Sequence, residues 1–207
     1  MLSRDTITDA AFRLTREEPN TPLTLARLGA DLGADPTALY RHFRKRDELL
    51  LAVFDRMYAD VVARHVHDPD WRASLRGVAV AMRSALLERP ALIAEVGYRF
   101  TGGPHERAAI ELTGRIFERA GLHGEAARLQ VRAFGELMLS HAAMSAASVT
   151  LPTEIQAAEI EIGRARYELD VDDMSAYVDA AFTTILDTYI DGLSAQARAT
   201  KRMKAAS

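Results

Sequence analysis

Residues 23–46 read Leu-Thr-Leu-Ala-Arg-Leu-Gly-Ala-Asp-Leu-Gly-Ala-Asp-Pro-Thr-Ala-Leu-Tyr-Arg-His-Phe-Arg-Lys-Arg, and this stretch decides the fold. Apolar spacing puts Leu25, Leu28 and Leu32 on one face of a short helix over 24–32, with Thr24 as its N-cap. Gly33 stops that helix. Asp35 caps the next one, and Pro36 takes its first position, where a missing N–H costs nothing. The second helix, read as 35–43, hides Leu39 and Phe43 and turns Thr37, Tyr40 and Arg41 outward. Two short helices meet across a tight turn, and the second carries groups that reach bases and phosphates. That pattern is a helix-turn-helix suited to a DNA major groove.

Outward from this stretch the pattern is helical almost throughout, so the expected class is all-α with about nine to ten helices. Ser3 caps a first helix over 3–18 that lines up Ile7, Ala10, Ala11 and Leu14. A longer helix over 47–63 places Leu50, Val53, Phe54, Met57 and Val61 at helical spacing. The run His65-Val66-His67-Asp68-Pro69-Asp70 marks the clearest boundary. Further helices are expected over 71–88, 91–99, 105–120, 124–148, 152–168 and 174–197, with 201–207 frayed. The organisation read from this is a helix-turn-helix domain over 1–46, a connecting helix over 47–66 and a helical remainder over 67–207.

Composition narrows the function classes. The chain has 207 residues, 48% apolar and 27% charged, with a formal charge of −3 and no cysteine. Disulfide and thiolate chemistry are excluded, and no apolar run approaches the roughly 18 to 20 residues of a membrane span. No signal-peptide pattern opens the chain, so a cytoplasmic protein is expected. Within 36–46 there are four cations and no carboxylate. An acidic body with one basic tip orients a molecule toward a polyanion, although most cationic helix ends are simply solvated.

Two later helices look built for a partner. The one over 174–197 carries a wide apolar stripe, and the one over 124–148 ends in small residues that permit close approach. A homodimer is expected through Phe134, Met138, Ala142, Ser145, Tyr177, Ala181, Phe182, Ile185 and Tyr189, the alternative being that these faces close a monomer core. A small-molecule pocket is expected among Met82, Leu86, Tyr98, Phe100, Phe117, Phe134, Met138 and His141, each of which also fits simple core. Such a pocket favours an apolar or aromatic effector. No phosphate loop, metal-ligand cluster or nucleophile elbow is present, so no enzyme, metal or cofactor is expected.

The stretch 23–49 resembles the DNA-binding domain of TetR-family transcriptional regulators. The likeness rests on the Leu-Thr-Leu opening, the Gly33 turn, the run Leu39-Tyr40-Arg41-His42-Phe43 and the basic residue before an acidic-Leu-Leu helix start. It covers about the first 65 residues. The resemblance implies an N-terminal three-helix reading head, a C-terminal effector-binding and dimerisation domain, and a ligand-responsive repressor binding a palindromic operator. It makes the second helix of the motif the recognition helix, with Pro36, Thr37 and Ala38 at base edges and Tyr40 on a phosphate. Arg41 and His42 then lie toward the backbone, with guanine also open to Arg41 and an interdomain hydrogen bond to His42. Thr24, Arg27, Lys45 and Arg46 would hold flanking phosphates. Three positions depart from the usual pattern: Ala34 for a frequent Val, Arg27 for an acidic residue, and Arg44-Lys45-Arg46 for Pro-Ser-Lys. The competing readings are a transcriptional activator of the same fold, a nucleoid-type binder, or a small helical enzyme or ligand carrier with an incidental basic tip.

Overall fold

The computed structural model describes residues 2–97 and 99–205, with side chains described through residue 199. Ten α-helices make up its regular structure: α1 (Arg4–Glu17), α2 (Leu25–Leu32), α3 (Pro36–Leu39), α4 (Arg46–Arg64), α5 (Trp71–Leu87), α6 (Pro90–Val96), α7 (Pro104–Arg119), α8 (Glu125–Val149), α9 (Thr153–Tyr167) and α10 (Met174–Ala205). No strand occurs among the described residues. The last helix reaches Ala205, beyond the fraying point expected at residue 201, while residues 206 and 207 lie outside the described part.

Local chemistry sets the first boundaries. Ser3 caps α1 reciprocally: its hydroxyl accepts from the Thr6 N–H at 3.1 Å, and its own N–H donates to Thr6 Oγ1 at 2.8 Å. Thr24 accepts from Arg27 N–H at the start of α2. Gly33 ends that helix in the left-handed region at φ 59°, which costs a residue without Cβ nothing. Asp35 accepts from the Thr37 N–H at 2.7 Å, and Pro36 opens α3. Here the expectation of a helix over 35–43 needs correction. The α3 ladder stops at Leu39, and the chain continues in tight turns, with Arg41 N–H bonded to Ala38 O and His42 N–H to Leu39 O.

Helix α4 is the central beam. It packs against α1 on one side and α5, α6 and α7 on the other, and buries Leu49, Leu50, Val53, Phe54, Met57, Tyr58 and Val61. One apolar core therefore runs without interruption from Ile7 through α4 to Leu193. The 65–70 segment connects α4 to α5 but does not divide that core.

Candidate nucleic-acid interface and ligand cavity

The reading tip stands on Leu39 and Phe43, both buried, while Thr37, Tyr40, Arg41, Arg44 and Lys45 are exposed. Tyr40 is 52% exposed, which leaves its ring and phenol accessible to a partner. Arg41, Arg44 and Lys45 form no ion pair among the described residues, so their charge is available to a polyanion. Thr37 is partly committed: its hydroxyl donates to Asp35 Oδ1 at 2.7 Å, leaving its methyl group and lone pairs outward. The Thr37 contacts hold the Asp35 carboxyl below its usual pKa.

Two features of the tip are not evident from local spacing. Gly29 is buried where α2 meets the turn, and a Cβ there would sit 2.8 Å from Ala34 O and 3.1 Å from Pro36 Cγ. Arg4 reaches across from α1, donating to His42 O at 2.8 Å and lying 4.2 Å over the Phe43 ring. Its contact is 38 residues away in sequence, which no helical periodicity reveals.

Two expected phosphate contacts are spent elsewhere. Arg27 pairs with Glu18 at 2.9 Å and donates to Leu14 O and Thr21 O, bracing α2 against α1 and the loop that follows. Arg46 donates from Nε to Leu23 O at 2.8 Å and grips Glu95 of α6 with both terminal nitrogens. Beside it, Arg99 pairs with Asp47 at 2.8 Å. A guanidinium held bidentately by a carboxylate is not free for phosphate without breaking that pair. The pattern that suggested phosphate grip, a cation at a helix start, could not reveal a carboxylate 49 residues downstream.

A second polar junction ties α4 to α7. The buried Asp55 accepts from the N–H groups of Glu106 (2.9 Å) and His105 (3.4 Å), and its Oδ1 lies 3.2 Å from the Thr101 hydroxyl, whose one proton it shares with Glu106 Oε2. It thus caps α7 from another helix, placing negative charge at an N-terminus with unsatisfied N–H groups. Glu106, also buried, accepts through Oε2 from Thr101 N–H, Gly102 N–H and the Thr101 hydroxyl. Gly103 is required between them, since a Cβ would lie 2.2 Å from Asp55 Oδ1.

Behind this junction lies a cavity of about 1180 Å³ bounded by α4, α5, α6, α7 and α8. Of the expected lining, Met82, Phe100 and Phe134 are there. Leu86, Phe117 and Met138 are instead fully packed core, and His141 stacks on Phe182 at 5.3 Å. Tyr98 lies outside the described residues. Tyr58, Ile93 and Glu106, which the sequence reading did not select, do line it.

The sequence pattern of "bacterial regulatory proteins, tetR family" matches residues 7–53, spanning α1, the α2–α3 turn and the start of α4. Over 91 residues the chain is 38% identical to the Escherichia coli tetracycline repressor protein class A from transposon 1721, covering 42% of this chain and 41% of that protein. Its fold follows that of a structural-genomics protein from Streptomyces coelicolor A3(2) over 95% of this chain and 99% of that one, with TM-score 0.78 and 27% identity. The Streptomyces coelicolor TetR family protein ActR, solved with (S)-DNPA, matches over 95% and 99% with TM-score 0.74 and 23% identity, a likeness of fold alone.

The head of the chain, residues 7–53, is a tetR-family segment.

The chain spans 36–51% of the length of the curated relatives it matches. No group of three side chains placed to hold a metal ion occurs among the described residues. None of its described helices is long and apolar enough to cross a membrane.

The partner faces also need correction. Phe134, Met138, Ala142, Ser145 and Phe182 are all buried inside the protomer, where Phe134 meets the rings of Phe117 and Tyr189. They are core because α8 packs its large residues inward against α5, α7 and α10. Tyr177, Ala181, Ile185 and Tyr189 remain partly accessible. The exposed apolar side chains of this region are others: Leu129, Met144, Val149, Leu151, Ile155, Ile162 and Tyr167.

Proposed function

We propose that this chain is a ligand-responsive repressor that binds a palindromic operator as a homodimer. The observation carrying this reading is the tip of the head: a capped, glycine-hinged α2–α3 turn presenting Thr37 and Tyr40 beside three unpaired cations. Residues 1–46 act as the reading domain, 47–66 as the connecting helix, and 67–207 as the effector-binding and dimerisation domain. Pro36, Thr37 and Ala38 meet base edges, Thr37 through its methyl and lone pairs. Thr24, Tyr40, Arg41, His42 and Lys45 lie toward the backbone, which fixes register without specifying sequence. Arg27 and Arg46 act by positioning the head.

Repression is supported by the similarity of the matched segment to the tetracycline repressor, and a small-molecule effector by the cavity and by the presence of (S)-DNPA in ActR. The apolar lining favours an apolar or aromatic effector. Dimer contacts draw on the exposed apolar residues of α8 and α9 together with the accessible face of α10. In a dimer the two reading tips must lie about 34–36 Å apart, or a multiple, to enter successive major grooves. An effector acts by preferring a body conformation in which α6 releases the head, and only that difference in affinity shifts the population.

The test is a fluorescence-anisotropy titration of labelled duplexes at several salt concentrations. Wild type should bind random DNA weakly and salt-sensitively, and one inverted repeat far more tightly. Equal affinity for all duplexes would remove the repressor reading.

A further inference from the structure

The cavity is not uniformly apolar. Val61, Val78, Met82, Ile93 and Val131 supply its greasy wall, but three buried side chains with polar groups break it: Tyr58, Glu106 and Thr113, the last spending its hydroxyl proton on Ala109 O at 2.7 Å. Tyr58 is 6% exposed, packs edge-on against Phe54 at 5.5 Å, and its hydroxyl has no hydrogen-bond partner among the described residues. Because Tyr58 lines the cavity, its hydroxyl is free to bond whatever enters it. Glu106 is 4% exposed and commits only Oε2 to the 101–102 turn; Oε1 has no partner among the described residues. Burial pushes the Tyr58 phenol well above its usual pKa, with the charges of Glu106 and Asp55 adding to the effect. Tyr58 stands one turn along α4 from Asp55, which holds the Glu106 N–H at 2.9 Å, so the two cavity-lining groups lie at the same part of the wall.

The rim asks for no particular ligand charge. Arg99 is held by Asp47, Arg132 by Glu136, and the other rim charges, Arg128 and Glu118, are both exposed and of opposite sign. Specificity then falls to the inner pair. A donor and an acceptor side by side are matched by one ligand group that both accepts and donates. A ketone satisfies Tyr58 alone, and an ammonium satisfies Glu106 alone. A hydroxyl satisfies both.

Resting on the reading of this cavity as the effector site, we infer that its inner end recognises a hydroxyl group on an apolar ligand, with Tyr58 donating to the hydroxyl oxygen and the hydroxyl donating to Glu106. The same carboxylate holds the 101–102 turn that Asp55 of α4 also grips, so the hydroxyl lands at the junction between the cavity and the central beam.

The probes are 1-hydroxypyrene, 1-methoxypyrene and pyrene, titrated by fluorescence against the full chain as wild type and as Tyr58→Phe, with a thermal melt as folding control. Wild type should prefer 1-hydroxypyrene over 1-methoxypyrene by about tenfold or more, as expected for losing a hydrogen bond and stranding a buried partner. In Tyr58→Phe the preference for 1-hydroxypyrene over pyrene should shrink several-fold while pyrene affinity is unchanged. If all three probes bind wild type equally, or the preference for 1-hydroxypyrene over pyrene survives intact in Tyr58→Phe, the hydroxyl assignment is overturned and the cavity reading stands. If none binds, the cavity reading falls as well. The wild-type comparison decides the matter even if the variant loses its cooperative melt.

Discussion

At the scale of single residues, the head depends on positions that do no chemistry. Gly29 lets α2 approach the turn, and a methyl group there would be forced against Ala34 O. Gly29→Ala should destabilise the fold by about 1–3 kcal/mol, as overpacking does, and weaken DNA binding further by displacing Pro36 and Thr37. Urea denaturation and anisotropy together measure both effects. Thr37→Ala should keep the fold and relax choice at one base pair per half-site by about 1 kcal/mol. In the body, burial holds His141 below the ordinary histidine pKa; Arg83 adds to the depression and Asp179 partly opposes it. The unfolded chain therefore takes up a proton at a higher pH than the folded one. Its contribution to stability is present above the unfolded value and is lost as pH falls through the folded value. Between about pH 7.5 and 5.5 the melting temperature should drop, and His141→Phe, which keeps a ring against Phe182, should make that drop smaller. His65, depressed chiefly by burial and then by Arg119 and His67, adds in the same direction.

Helix α4 sets the behaviour at the next scale. Its buried face joins head and body, so Phe54→Ala, at a site with no exposure, should cost about 3–5 kcal/mol in urea denaturation. Its first turn carries the two pairs Arg46–Glu95 and Asp47–Arg99. Arg46 cannot serve Glu95 and a phosphate at once. Glu95→Gln should therefore free Arg46 and steepen the slope of log affinity against log salt by about one. Arg46→Ala alone should leave that slope near wild type, and the double variant should abolish the gain. A double-mutant cycle of salt titrations separates this from two independent effects.

The sequence and the structure agree most closely where local chemistry decides. Caps at Ser3, Thr24 and Asp35, the Gly33 stop and the buried Leu28, Leu39 and Phe43 were all legible, because each is fixed by neighbours within four residues. The length of α3 was not, since turns after Leu39 satisfy the same apolar spacing as a helix. The roles of Arg46 and Glu106 were hidden for a different reason: their partners lie on other helices, and charge alone does not say whether it faces solvent or a carboxylate. The misplaced interface residues share one cause. An amphipathic helix shows that a face is buried, and not whether its own chain or another copy buries it.

For the whole molecule, an overall negative chain with a cationic tip should approach DNA head first, and the tip must be repeated in a partner to read a palindrome. In vitro selection from a random duplex library, with wild type and Thr37→Ala in parallel, tests that most directly. Wild type should enrich one inverted repeat whose half-site centres are separated by one helical turn, about 34–36 Å, or a multiple of it. Thr37→Ala should enrich the same repeat with one position per half-site degenerate. Recovery of no shared inverted repeat, or of an unchanged motif from the variant, would contradict base reading by the tip of α3.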